Sequence, residues 1–143
     1  SYSFNINGNQ SGYVYPSRGI RQGNPLSPYL FLFSAQGLAN LLTSACRDKM
    51  LTRIKISRNS RAISHLFLAD DSLIFCKASA KEASKITRIL QIYEQASGQK
   101  IDIEKSATLF SRNTSQANKQ GVSKYWAISS MLLRQNILVS LWL

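Results

Sequence analysis

The stretch Ile63 to Ala78, ISHLFLADDSLIFCKA, limits the fold more than any other part of the sequence. Two apolar runs, His65 to Leu68 and Leu73 to Cys76, flank Ala69, Asp70, Asp71 and Ser72. Short apolar runs around a polar step pair as a β-hairpin, and this one carries the two acids at its tip. A lone hairpin is marginal in water, so it needs an apolar cover. Two segments can supply it. Pro25 and Pro28 suit a helix entrance, and the helix they open runs to about Lys49. Its apolar residues Leu30, Phe31, Leu38, Leu41 and Leu42 lie all round it, so burial on several sides is expected, with Arg47 and Lys49 near its negative C-terminal end. Ser79 and Glu82 form a capping box for a second helix with the stripe Ile86, Ile89, Leu90 and Tyr93, and Gly98 stands where a C-terminal cap belongs.

Before these elements, Ser3 to Ile6 and Tyr13 to Tyr15 read as strands joined through the turn dipeptide Asn7-Gly8, with Pro16 closing the hairpin. Ser17 to Asn24 is a loop rich in Arg and Gly. Beyond the second helix, Ile101 to Ile103 and Ala107 to Phe110 read as short strands, and Asn113 to Lys124 as a polar loop. Tyr125 to Leu143 is apolar, with Arg134 its one charge after Tyr125 and both Trp residues within it. The pattern predicts an α+β fold of antiparallel strands packed on helices.

The chain has 18 Lys and Arg against 7 Asp and Glu, a net charge of +11, which favours polyanionic partners such as nucleic acid. Cys46 and Cys76 lie in apolar surroundings without metal-ligand spacing and read as reduced core residues of an intracellular protein. The uncharged stretch between Arg21 and Arg47 is broken by Pro25, Pro28, Gln36 and Asn40, so a buried helix is expected there and not a membrane span. No signal peptide is visible at SYSFNINGNQ, and the missing initiator Met suggests a start inside a larger product.

Two of only seven acids stand side by side between nearly uncharged strands. Adjacent carboxylates at the mouth of an apolar core repel each other, and bound divalent cations relieve that repulsion. Asp is also favoured in tight turns for its local hydrogen bonds, so the pair alone leaves both readings open. Likewise RGIRQGNPLSPYLF, Arg18 to Phe31, sets Arg and Gly before a helix start, able to approach a phosphate or simply to form a basic loop.

Taken together, these segments resemble the reverse transcriptases of non-LTR retrotransposons, especially LINE-type elements of plants. RGIRQGNPLSPYLF looks like that family's motif B, ISHLFLADDSLIFCKA like motif C, and SGQKIDIEKSATLFS, Ser97 to Ser111, like motif D. The resemblance implies a partial right-hand palm over residues 1–113, with 114–143 a polar loop and a divergent approach to the thumb. It makes Asp70 the principal metal ligand and Asp71 the second, with two Mg2+, or Mn2+, as the ions. Arg21, Gln22 and Gly23 would line the incoming deoxynucleoside triphosphate, and Lys105 would assist near the triphosphate, although a solvated Lys at a strand edge is an equal reading. Arg18, Arg53, Lys55, Arg58 and Arg61 are candidates for contacts to an RNA template and DNA primer, or for an ordinary solvated basic surface. His65 is expected to be a packed strand residue. The parent element would work in the nucleus or cytoplasm, without a membrane partner.

Departures from the pattern are equally specific. Asn24 replaces the acid usual after the motif B Gly, Leu68 an aromatic residue, and Trp126-Ala127 the usual Tyr-Leu-Gly approach to the thumb. No residue before Arg18 is charged, so the motif A carboxylate that completes a two-metal site has no counterpart. The expectation is a polymerase fragment inactive by itself, with a non-catalytic basic nucleic-acid-binding remnant or a pseudogene product as alternatives.

Overall fold

In the computed structural model the structure describes residues 2–15, 23–55, 57–68, 71–126, 130–133 and 137–142. The acidic hairpin forms, with its second strand beginning at Asp71, two residues earlier than the sequence pattern suggests. Strand β5 (His65–Leu68) pairs antiparallel with β6 (Asp71–Cys76), Leu68 opposite Asp71 and His65 opposite Ile74. Side chains alternate, so Ser72, Ile74 and Cys76 of β6 are buried while Asp71, Leu73 and Phe75 lie on the more open face.

The cover comes from α1 (Ser27–Arg47) and α2 (Ala80–Ser97). Leu38, Leu42 and Ala45 of α1 and Ala83, Ile86, Leu90 and Tyr93 of α2 join Ile74, Cys76 and Phe110 in one core. Ser34 and Tyr93 hydroxyls are 3.0 Å apart, and Tyr93 also donates to the side-chain oxygen of Gln99, tying both helices to the link that follows α2. Burial of α1 on several sides is not what the structure shows. Its first half is largely open, with Tyr29, Leu30, Leu32 and Phe33 all more than half exposed, and its buried residues, Leu38, Leu42 and Ala45, all lie in the second half.

The capping box of α2 is half formed. Ser79 Oγ accepts from the Glu82 N–H at 3.3 Å, but the Glu82 carboxylate turns elsewhere, accepting from Lys77 N–H (3.0 Å), Thr52 N–H (3.2 Å) and Thr52 Oγ1 (2.7 Å). It thereby pins the loop after α1 to the start of α2. At the other end Gly98 adopts φ +72° and donates its N–H to Glu94 O, the left-handed cap expected of glycine.

Two further expectations are corrected. The short strands around Ile101 and Ala107 are one strand, β7 (Asp102–Ser111), interrupted only by a register shift between Asp102 and Ala107 that absorbs the polar step. Within the expected loop 113–124 lies α3 (Gln116–Ser123), capped by Ser115 Oγ on the Asn118 N–H; its Val122 is fully buried, and Gly121 allows its backbone close to Ala80. Trp126, which departs from the family pattern, is buried in the core and donates from Nε1 to Thr87 Oγ1 at 2.9 Å.

The apolar segment after Tyr125 supplies β8 (Ser130–Leu133) and β9 (Ile137–Trp142). Sheet order is β5-β6-β9-β7-β8, with β9 antiparallel to both β6 and β7. Apart from this sheet stand the first hairpin, β1 (Tyr2–Ile6) and β2 (Asn9–Val14), and a short ribbon, β3 (Ile54–Lys55) with β4 (Ala62–Ile63). Asn7 and Gly8 both have positive φ, the two-residue turn that matches strand twist.

Candidate metal and nucleic-acid site

The hairpin β5–β6 delivers Asp71 to the end of a central strand, immediately after Asp70. Asp70, like Arg18, Arg21 and Gln22, lies outside the described residues. Asp71 is held at the first position of β6, and its Oδ1 is buried without a hydrogen-bond partner among the described residues. A carboxylate oxygen shielded from water and left without a donor has the chemistry of a cation ligand, since a metal supplies the missing positive charge. Asp71 therefore offers one carboxylate donor suited to a cation, while among the described residues no group of three or more His, Cys, Asp or Glu is placed to hold a metal ion.

The sheet also sets out what surrounds that oxygen. Asp71 pairs with Leu68 on one side and with Trp142 on the other, and Trp142 in turn pairs with Asp102 of β7. Asp71 and Asp102 thus occupy one row with a single strand between them, which puts their backbones about 10 Å apart at two strand spacings. Asp102 was absent from the residues expected at the site; only a pairing through β9 reveals it. Lys105 stands in the irregular stretch of β7, its Nζ 3.4 Å from Asp102 Oδ2 and its N–H donating to Asp102 Oδ1 at 3.2 Å. The structure therefore brings Lys105 to the end of the sheet that holds Asp71, but in the company of Asp102.

Gly23 has φ +80°, a conformation costly to other residues, and Asn24 after it accepts the Leu26 N–H on Oδ1 (3.0 Å) and the Ser27 N–H on its carbonyl (3.0 Å). Asn24 in place of an acid thus still forms the turn that starts α1, since either side chain offers an oxygen there.

Arg53, Lys55, Arg58 and Arg61 are all exposed and cluster on the β3–β4 ribbon, whose turn is closed by Ser60 Oγ and the Ser57 N–H at 3.0 Å. The ribbon leads directly into the His65 end of β5, three residues and about 10 Å along the strand from its Leu68 end. The basic group and Asp71 are therefore at opposite ends of one hairpin.

His65 is half-buried beside Phe67, with Ser64 Oγ 3.0 Å from its Nδ1. Burial, then the nearby positive charge of Arg53, lowers its pKa below the ordinary value. A histidine kept neutral in the fold stabilises it fully above the unfolded-state pKa near 6.5; that contribution fades as pH falls from there toward the lowered folded value. Melting temperature should therefore drop as pH falls through and below about 6.5, and His65→Gln should flatten that part of the profile. An unchanged slope in the variant would assign the loss to other groups. Cys76, with its thiol pushed up to about 12 by burial and by Glu82, is inert core, and both cysteines are free thiols.

Among the described residues no helix is long and apolar enough to cross a membrane. A sequence model of the family described as reverse transcriptase (RNA-dependent DNA polymerase) matches residues 1–125. An uncharacterized mitochondrial protein of Arabidopsis thaliana is 49% identical over 69 residues, covering 48% of this chain and 57% of that protein, so the match spans little more than half of the relative. No solved structure matches. With β5–β6, α1, α2 and β7 arranged as an α+β palm and the family match covering most of its length, the chain belongs to the reverse transcriptases.

Proposed function

We propose that the chain is part of an RNA-directed DNA polymerase of the LINE-type non-LTR class, in which Asp70 and Asp71 hold Mg2+. The observation that carries this reading is the buried Oδ1 of Asp71 at the start of β6, without a hydrogen-bond partner among the described residues. Divalent ions bound there would polarise a primer 3′ hydroxyl and neutralise charge on the triphosphate of the incoming nucleotide. The chain's own contribution is positional. β6 and its partners fix Asp71, Gly23 lets the backbone turn sharply ahead of α1, and the exposed cations of the β3–β4 ribbon offer contacts to nucleic-acid phosphates. Lys105, paired with Asp102 at the same end of the sheet, would offer positive charge to a leaving pyrophosphate.

A specific observation favours a second reading for these 143 residues taken alone, a non-catalytic nucleic-acid-binding remnant. Both positions opposite Asp71, Leu68 and Trp142, lack a carboxylate, and the row's other acid, Asp102, is engaged by Lys105. A two-metal site needs ligands close enough to serve ions about 4 Å apart. We therefore expect these residues to bind a divalent ion weakly and to extend no primer.

Titration with Mn2+, followed through the spin-resonance signal of the free ion, tests this reading. The expected result is a loss of free signal that Asp70→Asn combined with Asp71→Asn abolishes. Equal binding by that double variant would remove the metal assignment, and primer extension by the unsubstituted chain, lost on Asp70→Asn, would overturn the non-catalytic part.

A further inference from the structure

The outer side of α2 carries a charge pattern that the site above does not use. Lys81, Lys85 and Arg88 stand at i, i+4 and i+7, a spacing that sets three cations in one stripe about 10 Å long on a helix. Lys81 and Arg88 are exposed and Lys85 is half-buried. The two acids of α2 are both occupied elsewhere, Glu82 in its buried clip to Thr52 and Lys77, and Glu94 in accepting the Ile101 N–H at 2.9 Å. Among the described residues no carboxylate lies within ion-pair distance of the stripe.

Helix stability does not account for this arrangement. Lys81 sits in the first turn, where the helix dipole disfavours a cation, and Lys77 adds another just before it. A stabilising surface helix would interleave Glu with Lys, and α2 does not. The inward side of α2 is spent on the core through Ala83, Ile86, Leu90 and Tyr93, so the cations face away from the sheet and from Asp71.

We infer that the outer face of α2 binds the phosphate backbone of a nucleic-acid strand through Lys81, Lys85 and Arg88, as a second contact surface separate from the Asp71 end of the sheet. Backbone contacts of this kind read charge and not sequence. A membrane surface fits less well, because interfacial helices need a free apolar face and that of α2 is buried. This inference does not rest on the metal reading, since the stripe neither touches Asp71 nor needs an ion.

The test uses the full chain, a fluorescent single-stranded RNA of about 20 nucleotides and anisotropy at several salt concentrations. The triple variant Lys81→Gln, Lys85→Gln, Arg88→Gln keeps good helix formers at exposed or half-buried positions, and far-UV circular dichroism checks its fold. Three fewer phosphate contacts should reduce the slope of log K against log salt by about 2 and weaken binding about 100-fold near 0.1 M salt. Lys81→Arg, Lys85→Arg, Arg88→Lys, which preserves the charge, should bind like the parent chain. An unchanged slope and affinity in the Gln variant would overturn the inference. So would a loss confined to a parallel variant with Arg53, Lys55, Arg58 and Arg61 changed to Gln. Vesicles of phosphatidylserine and phosphatidylcholine form the third arm; capture lost in the Gln triple while RNA binding stays intact would assign the stripe to a lipid surface instead.

Discussion

Glu82→Ala is expected to lower the unfolding free energy by about 3 kcal/mol, a large share of the stability of a chain this size. Glu82 is buried, and its carboxylate receives two N–H groups and a hydroxyl from Lys77 and Thr52. Hydrogen bonds to an ionised acceptor are worth about 1.5–3 kcal/mol each, which would suggest a still larger loss. Thr52 and Lys77 are exposed, however, so their freed donors can turn to water and part of the cost is recovered. Glu82→Gln retains one acceptor oxygen and should cost roughly half as much. Urea titration checks both, with a midpoint shift of about 1.5 M for Ala at unchanged slope. A shift of a few tenths would mean that the loop after α1 is held by packing and not by this carboxylate.

Ile86→Ala should be comparably severe, at about 3–4 kcal/mol. Ile86 is completely inaccessible, in one core cluster with Leu42 of α1 and Ile74 of β6, so the missing methyl and methylene groups leave a cavity that two helices and a sheet cannot close together. Ala is the better helix former, so the loss would report packing alone. Ile92→Ala, on the same helix but 44% exposed, is the internal control and should change stability by less than 0.5 kcal/mol in order of magnitude. Similar losses in the two variants would contradict the assignment of the core to the inner side of α2.

How much was legible in the sequence follows from where the signals were local. The acidic hairpin, the turn at Asn7-Gly8, the stripe of α2 and its Gly98 cap each depend on neighbours a few residues apart, and each is found, the hairpin with its second strand lengthened to Asp71. In α1 apolar residues on every side suggest burial on every side, but Tyr29, Leu30, Leu32 and Phe33 show that composition does not say which side finds a partner. α3 is hard to read from sequence because Gln, Asn, Lys and Gly give it little apolar periodicity, with Val122 its one fully buried anchor. The Glu82 clip was read as a local box because its partner Thr52 is 30 residues away. At the site, Asp71 announced itself through its neighbour Asp70 and the apolar flanks. Asp102 could not, since its relation to Asp71 exists only through the pairing of both with Trp142.

The place of β9 between β6 and β7 also sets an order of assembly. β5 and β6 are neighbours in the chain and can zip together with α2 as soon as they are made, and β7 can pair with β8, but β7 joins the hairpin only through residues 137–142. Closing that sheet must draw together strands separated by some 60 residues, from Cys76 to Ile137, and contacts so distant in sequence slow folding. During synthesis the hairpin edge of β6 therefore waits uncovered, the interval in which such an edge is most open to pairing with another chain.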